Sequence, residues 1–336
     1  MHLNQKSNSV FRVVFEGREN YRVMDERFHV SPAQIAGKIR VQSDLWPAVG
    51  DWVVGRPQPG GWVLIEGVKP RTSVLARRDP TGGAVQVLAA NLDTLFIVTS
   101  ANQDLNMNRL DRFLALVGNE PIRPVILINK VELAPDPGRL LDQVAGRFQN
   151  VDVHGVSAHE GWNLDCLEMY AFREQTVAFV GSSGVGKSSL TNALLGDAAV
   201  VLTQEICGDD GRGRHTTTHR EVHRTSSGAL VIDTPGIREV GLTEDADLTA
   251  TFEDIAGLAS ACKFNDCRHS SEPGCAIQRA LGDGVLDSGR WESYLKLERE
   301  LAFERRKGDR AVQSEHKRKW AQIHKANRAR EKLRGR

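Results

Sequence analysis

Residues 181–188 read Gly181-Ser182-Ser183-Gly184-Val185-Gly186-Lys187-Ser188, a G-x-x-x-x-G-K-S run in the middle of the chain, and it limits the fold more tightly than any other stretch. Such a loop needs a buried strand before it and a helix after it. Its glycines let the backbone curl until successive amides face one anion, and the helix N-terminus adds its dipole. The flanks comply: Thr176 to Val180 is an apolar strand, and Ser188 to Leu195 opens a helix. In that setting Lys187 reaches the β and γ phosphates of a nucleotide and Ser188 ligates Mg²⁺, with Ser189 beside it in the first helical turn. A layered α/β fold follows.

The surrounding pattern agrees. Buried-strand runs at Leu95 to Thr99, Pro124 to Ile128 and Val151 to Val156 alternate with helix-length segments, as in a largely parallel sheet. Two of these strands end in polar signatures, Asn129-Lys130-Val131-Glu132 and Ser157-Ala158. In N-K-x-D loops the carboxylate accepts from guanine N1 and N2 hydrogens, which adenine lacks, so an acid at this point selects GTP over ATP. Glu132 stands where Asp is usual, one methylene longer. Val231-Ile232-Asp233-Thr234-Pro235-Gly236 is an apolar strand ending in D-x-x-G, where Asp233 holds the metal through water and the Gly236 amide approaches the γ phosphate. Between it and the phosphate loop lies Gly213-Arg214-His215-Thr216-Thr217-Thr218, where a switch threonine would meet Mg²⁺. Thr216, Thr217 and Thr218 are all candidates, and each is equally a β-former at the start of a strand His219 to Arg224.

Residues 10–77 are patterned differently. Short strands at Val10 to Phe15, Tyr21 to Met24, Ile35 to Val41, Asp51 to Gly55 and Trp62 to Val68, broken by Gly and Pro, predict a small β-barrel. Trp46, Trp52 and Trp62 either fill its core or stack on bases; core is the expectation. Near the other end, Cys262-x4-Cys267-x-His269-x5-Cys275 supplies three thiolates and an imidazole, a closed tetrahedral set for structural zinc. Cys166 and Cys207 lie outside it and are expected to be packed thiols.

Composition narrows the class of protein. The chain has 336 residues, enough for two or three domains, with 40% hydrophobic and 26% charged residues, so it is neither disordered throughout nor a disulfide scaffold. No apolar run approaches a membrane span, and five cysteines with a charged N-terminal stretch suit a reducing cytoplasm. The net charge of +1 conceals a division: residues 305–336 hold thirteen basic and three acidic residues, +10, leaving 31 basic and 40 acidic elsewhere, −9. That tail is either a solvated helix or a contact for an anionic partner such as nucleic acid.

The motifs run in the order N-K-x-E, S-A, phosphate loop, threonine loop, D-x-x-G, whereas small GTPases begin with the phosphate loop. This is a circular permutation. With a barrel before it, and Cys262-Lys263-Phe264 and Glu272-Pro273-Gly274-Cys275 behind, the chain resembles the RsgA (YjeQ/YloQ) family of bacterial ribosome-biogenesis GTPases over nearly its full length. The resemblance implies a multidomain α/β protein: an OB-fold RNA-binding domain at 1–88, a permuted GTPase domain at 89–241, and a zinc-binding domain with a basic helical tail at 242–336. It further implies Mg²⁺ with GTP, one structural Zn²⁺, action on the maturing 30S subunit, contact with 16S rRNA and release of assembly factors. A monomer is expected. Two functional readings stay open, a GTPase whose hydrolysis times departure from the subunit and a GTP-gated RNA-binding module; Asn129 to Glu132 disfavour an ATP-dependent protein.

The permutation makes the γ-phosphate-sensing segment lead straight into the zinc domain and tail, a route for switching. After D-x-x-G stands Ile237, where small GTPases place a water-orienting Gln, so slow intrinsic turnover is expected. His215 is the candidate to orient water once the subunit orders the loop, the alternative being that it only contacts RNA or solvent.

Overall fold

Strand β1 (Ser9–Glu16) is buried on both faces from Phe11 to Val14, because it belongs to two layers at once. Phe11 and Val13 face a barrel core with Tyr21, Val23, Val53 and Ile65, while Val14 packs with Val49, Leu88 and Ile232 of a second core. The computed structural model describes residues 9–17, 20–40, 46–78, 85–102, 104–196, 200–201, 220–233, 241–243 and 246–307. It divides into two compact units, Met1–Gly241 and Leu242–Arg336.

The barrel continues through β2 (Tyr21–Met24), β3 (Val30–Ile35), a short helix α1 (Gly37–Arg40), β4 (Trp52–Gln58) and β5 (Trp62–Val68). Its pairings run β1-β2-β3-β5-β4 and close from β4 back onto β1; only β3 and β5 are parallel. This is the closed five-stranded OB-type barrel. The strand predicted over Ile35 to Val41 is not formed as such. The strand ends at Ile35 and the chain turns into α1, the Ile39 amide donating back to Ala36 O at 2.9 Å, and Ile35 and Ile39 both stay buried, with 6% and 3% exposure. The expected core tryptophans are also corrected. Trp46 and Trp52 expose 40% and 38% of their surface and Trp62 is half-buried, the barrel being filled instead by Phe11, Tyr21 and branched aliphatic side chains.

After a hairpin of β6 (Val74–Arg78) and β7 (Val85–Ala90) come β8 (Thr94–Ser100), α2 (Met107–Val117), β9 (Arg123–Asn129), α3 (Pro137–Arg147), β10 (Asp152–Gly155), β11 (Thr176–Gly181), α4 (Lys187–Leu195), β12 (Val200–Val201), β13 (Arg220–Arg224) and β14 (Leu230–Asp233). The sheet order is β10-β9-β8-β11-β14-β13, parallel as far as β14. β8 shows why its sequence is continuously apolar: Leu95 and Ile97 enter one core, Phe96 and Val98 the other. β13 then pairs antiparallel with β1 through Phe15–Glu221 and Glu16–Arg220, so one sheet runs unbroken from the α/β layer into the barrel. Arg12 pins the junction. It is 7% exposed, donates to Thr176 Oγ1 at 2.8 Å and Asn91 O at 3.1 Å, and lies over the Trp52 ring. Burial lowers its guanidinium to about 10, with Asp93 and Asp51 opposing the shift.

In the second unit, α5 (Glu253–Ser260), α6 (Ala276–Gly282) and α7 (288–307) pack around Phe252, Ile255, Ile277, Leu286 and Trp291. Arg290 makes a two-pronged ion pair with Asp254, at 2.7 and 2.8 Å, and covers the Phe252 ring. The tail from 308 lies outside the described residues, and among those described no helix is long and apolar enough to cross a membrane.

Candidate nucleotide site and metal centre

The phosphate loop lies at the end of β11, next to β8, and its glycines at 181, 184 and 186 all have positive φ, two of them with no room for a Cβ. Gly181 has φ 145°, and a Cβ would stand 2.1 Å from Val98 O; Gly186 has φ 96°, and a Cβ would stand 2.2 Å from Asn129 Nδ2. The loop leads into α4 with Gly186 as its N-cap and no side-chain cap, so the first-turn amides are left for another acceptor. Ser183, Gly184, Ser188 and Ser189 are exposed, Val185 is buried beneath them, and Lys187 Nζ donates to Gly181 O and Ser182 O at 2.9 and 2.6 Å.

The two loops flanking it are fastened to it by one residue. Asn129, 1% exposed at the end of β9, donates from Nδ2 to Val185 O at 2.8 Å and accepts at Oδ1 from the Ala158 amide at 3.0 Å. Lys130, in the left-handed region, donates to Gly184 O at 2.8 Å. Glu132 follows on a single 3-10 turn, and its Oε2 is buried without a hydrogen-bond partner, an acceptor held ready for a donor. Ser157 is fully buried; its Oγ accepts from Glu160 N, and its backbone pairs with Trp162 in both directions, closing the Ser157-Ala158 loop into a tight hairpin. Asp233 ends β14, whose Leu230, Val231 and Ile232 pair with β11. The structure thus brings Asn129, Lys130, Glu132, Ser157 and Ala158 together with the phosphate loop, at the carboxyl ends of β8 to β11 and β14, where open α/β sheets bind ligands. His215, Thr216, Thr217 and Gly236 lie outside the described residues.

Sequence reasoning missed the bracing role of Asn129 and the Trp162 pairing. The first was hidden because an N-K-x-E motif points to the base, whereas the bond to Val185 depends on β9 and β11 both flanking β8. The second is a backbone contact with no side-chain signature. Cys166 is packed as expected, burial pushing its thiol up to about 11, and Cys207 lies outside the described residues.

In the second unit, the donor atoms of Cys262, Cys267, His269 and Cys275 all fall within 4.8 Å of one another. Cys262 Sγ is 3.5 Å from His269 Nδ1 and 3.9 Å from Cys275 Sγ, and Cys275 Sγ is 3.6 Å from the same nitrogen. A tetrahedral ion with Zn–S of about 2.3 Å and Zn–N of about 2.0–2.1 Å requires edges of about 3.8 Å and 3.6 Å, so Cys262, His269 and Cys275 match zinc in spacing and the four donors match it in type. Amides of Ala276 and Gln278 donate to Cys262 and Cys275 sulfurs. Desolvation pushes Cys267 up to about 11, opposed by a bond from the His269 backbone and helped by hydrogen bonds with the Cys275 and Cys262 thiols. Gln278 Nε2 fastens the His269 carbonyl and Trp291 meets the imidazole edge-on, fixing the ring.

A family model described as RsgA GTPase matches residues 68–243. A small ribosomal subunit biogenesis GTPase RsgA from Methanosarcina acetivorans is 46% identical over 266 residues, 78% of this chain and 72% of that one. Small ribosomal subunit biogenesis GTPase RsgA 1 from Listeria monocytogenes is 37% identical over 330 residues, 98% of this chain and 94% of that one. Among solved structures, YjeQ from Thermotoga maritima is similar with a TM-score of 0.66 at 26% identity, covering 88% of this chain and 99% of that one. YloQ, a circularly permuted GTPase, is similar with a TM-score of 0.64 at 26% identity, covering 90% and 98%.

Proposed function

The chain belongs to the RsgA GTPase family and is a GTP-hydrolysing enzyme, and from that premise we propose that its turnover serves late maturation of the small ribosomal subunit. The observation that carries the nucleotide reading is Asn129. One buried amide sets the base-side loops in register with the phosphate loop, so a nucleotide bound across them is measured from base to phosphate. In this reading the amides of residues 182–188 cradle the phosphates, with Lys187 turning from its own loop's carbonyls to the β and γ groups. Glu132 Oε2 accepts from guanine, Ser157 and Ala158 close over the base, and Gly181 and Gly186 hold the curl. Ser188 and Asp233 are the side chains that would hold Mg²⁺, which when bound would offset negative charge on the phosphates. Water adds to the γ phosphorus, the bond to the β-bridging oxygen breaks, and GDP and inorganic phosphate leave. Gly236, Thr216 and Thr217 sense the γ phosphate, and His215 orients the water once the subunit orders its loop.

The remaining parts face the ribosome in this proposal. The OB-fold domain (1–88) presents Trp46 and Trp52, and the +10 tail meets 16S rRNA phosphates. The Cys/His cluster carries one structural zinc in the 242–336 region, hydrolysis times departure from the subunit, and the protein assists release of assembly factors. The test is GTP turnover of the cytoplasmic monomer with and without purified 30S subunits. Stimulation by orders of magnitude, largely lost in His215→Ala with GTP and subunit binding kept, is expected. No stimulation of the parent protein overturns the activation model, and full stimulation of the variant removes His215 from it.

A further inference from the structure

We propose that Arg109, which no motif contains, is a positioning residue for the phosphate loop, acting through the Ser182 hydroxyl. The placement follows from the topology. β8 runs beside β11 with Val98 opposite Gly181, so the chain leaving β8 passes over the start of the phosphate loop. That connection is shaped by Asn102, whose Oδ1 accepts from Ser100 Oγ and the Asp104 amide, and by Asn106, which caps α2 by accepting from the Arg109 amide. Arg109 therefore sits in the first turn of α2 with its guanidinium aimed back at the loop. One nitrogen, Nη1, donates both to Ser182 Oγ and to Asp104 Oδ1, the latter at 2.7 Å.

What this bond does depends on Lys187. Among the described residues the donors that fasten the loop include Asn129 at Val185 O, Lys130 at Gly184 O, Lys187 at Gly181 O and Ser182 O, and Arg109 at Ser182 Oγ. When Lys187 turns to phosphate it gives up both carbonyls. Among the described residues Arg109 is then the side chain that still anchors Ser182, just where the loop must hold its curl for the amides to converge. Arg109 stabilises the loop conformation that both GDP and GTP require. It acts equally on ground and transition states, which alters affinity and not the chemical step. Asp104 orients the guanidinium and balances its charge.

This inference rests on the GTP reading of the site, and the experiment separates the two. Kd for GDP and a non-hydrolysable GTP analogue, and kcat and KM for GTP, are measured for the full-length parent, Arg109→Ala, Ser182→Ala, the double variant and Arg109→Lys. Removing a charge-assisted bond is expected to raise both Kd values and KM roughly tenfold in either single variant, with kcat within about twofold. The double variant should be no worse than either single, since both remove the same bond. Arg109→Lys should restore most of the affinity, because both bonds leave a single nitrogen that an ammonium can replace; a generic packing loss would not be rescued this way. Unchanged Kd in Arg109→Ala, losses that multiply in the double variant, or a fall in kcat with Kd intact overturns the proposal. Failure of the parent itself to bind GTP or GDP instead overturns the reading of the site.

Discussion

Truncating Asn129 to Ala separates a bracing role from simple contact with the base. The side chain is 1% exposed and makes two bonds, to Val185 O at 2.8 Å and from Ala158 N at 3.0 Å. A neutral buried hydrogen bond is worth about 0.5–1.5 kcal/mol net, and a buried partner left unpaired costs about 1–3 kcal/mol. Val185 is 1% exposed, so its carbonyl carries the upper figure, while half-buried Ala158 carries the lower. Together Asn129→Ala should destabilise the nucleotide-free protein by about 2–4 kcal/mol. For a unit of this size each kcal/mol moves Tm by about 2–4 °C, giving a drop of about 4–16 °C. Asn129→Asp sharpens the test. It keeps the bond from Ala158 but turns a second oxygen toward the Val185 carbonyl, which raises the new carboxyl's pKa in the folded state. The variant should therefore be weak at neutral pH and recover as pH falls through that raised pKa, when the neutral carboxyl can donate. Thermal melts without nucleotide across a pH series measure both effects. A melting temperature for Asn129→Ala within about 1 °C of the parent would refute the bracing role, since a residue that only touches the base leaves nucleotide-free stability unchanged.

Glu132→Ala should lower GTP affinity and reduce the preference for GTP over ATP by about a hundredfold, because the buried Oε2 is the acceptor that adenine cannot satisfy; competition binding reads the ratio, and an unchanged ratio removes Glu132 from base selection. The purified protein should hold about one zinc ion per chain by elemental analysis, and Cys267→Ser should lose it together with protection of amides over 262–278, since binding energy is folding energy in a small metal domain. Deleting residues 308–336 should weaken binding to 30S subunits and flatten its dependence on salt, as fewer counterions are released; identical salt slopes would assign the tail to solvent.

The parts of this molecule that chemistry fixes locally were legible in order. The phosphate loop, the N-K-x-E and S-A endings and the Cys/His spacing each need particular residue types a few positions apart, so Gly181, Gly186, Lys187 and Cys262 to Cys275 read directly from the chain. The apolar runs of β8, β9 and β11 were equally plain, because a strand buried on both faces has no polar positions to confuse its period. Ile35 to Val41 misled for the opposite reason: Ile35 and Ile39 fit the inward face of either a strand or a helix, and the turn at Gly37 decides between them.

What the chain alone left undecided is every relation that depends on which strands become neighbours. The exposure of Trp46 and Trp52 depends on the barrel's closure, which buries Phe11, Val13, Tyr21, Val23, Val53 and Ile65 in the interior and leaves those indoles outside it. The passage of one sheet from β13 into β1, and the burial of Arg12 against Thr176, join residues about two hundred and 164 positions apart. Asn129 over Val185 and Arg109 over Ser182 span 56 and 73 positions in the same way. Residue identity specifies what a group can bond to, whereas adjacency in a sheet is a cooperative property of the whole core. Motif chemistry was therefore determined by sequence, and the bracing that gives those motifs their geometry was decided by tertiary structure.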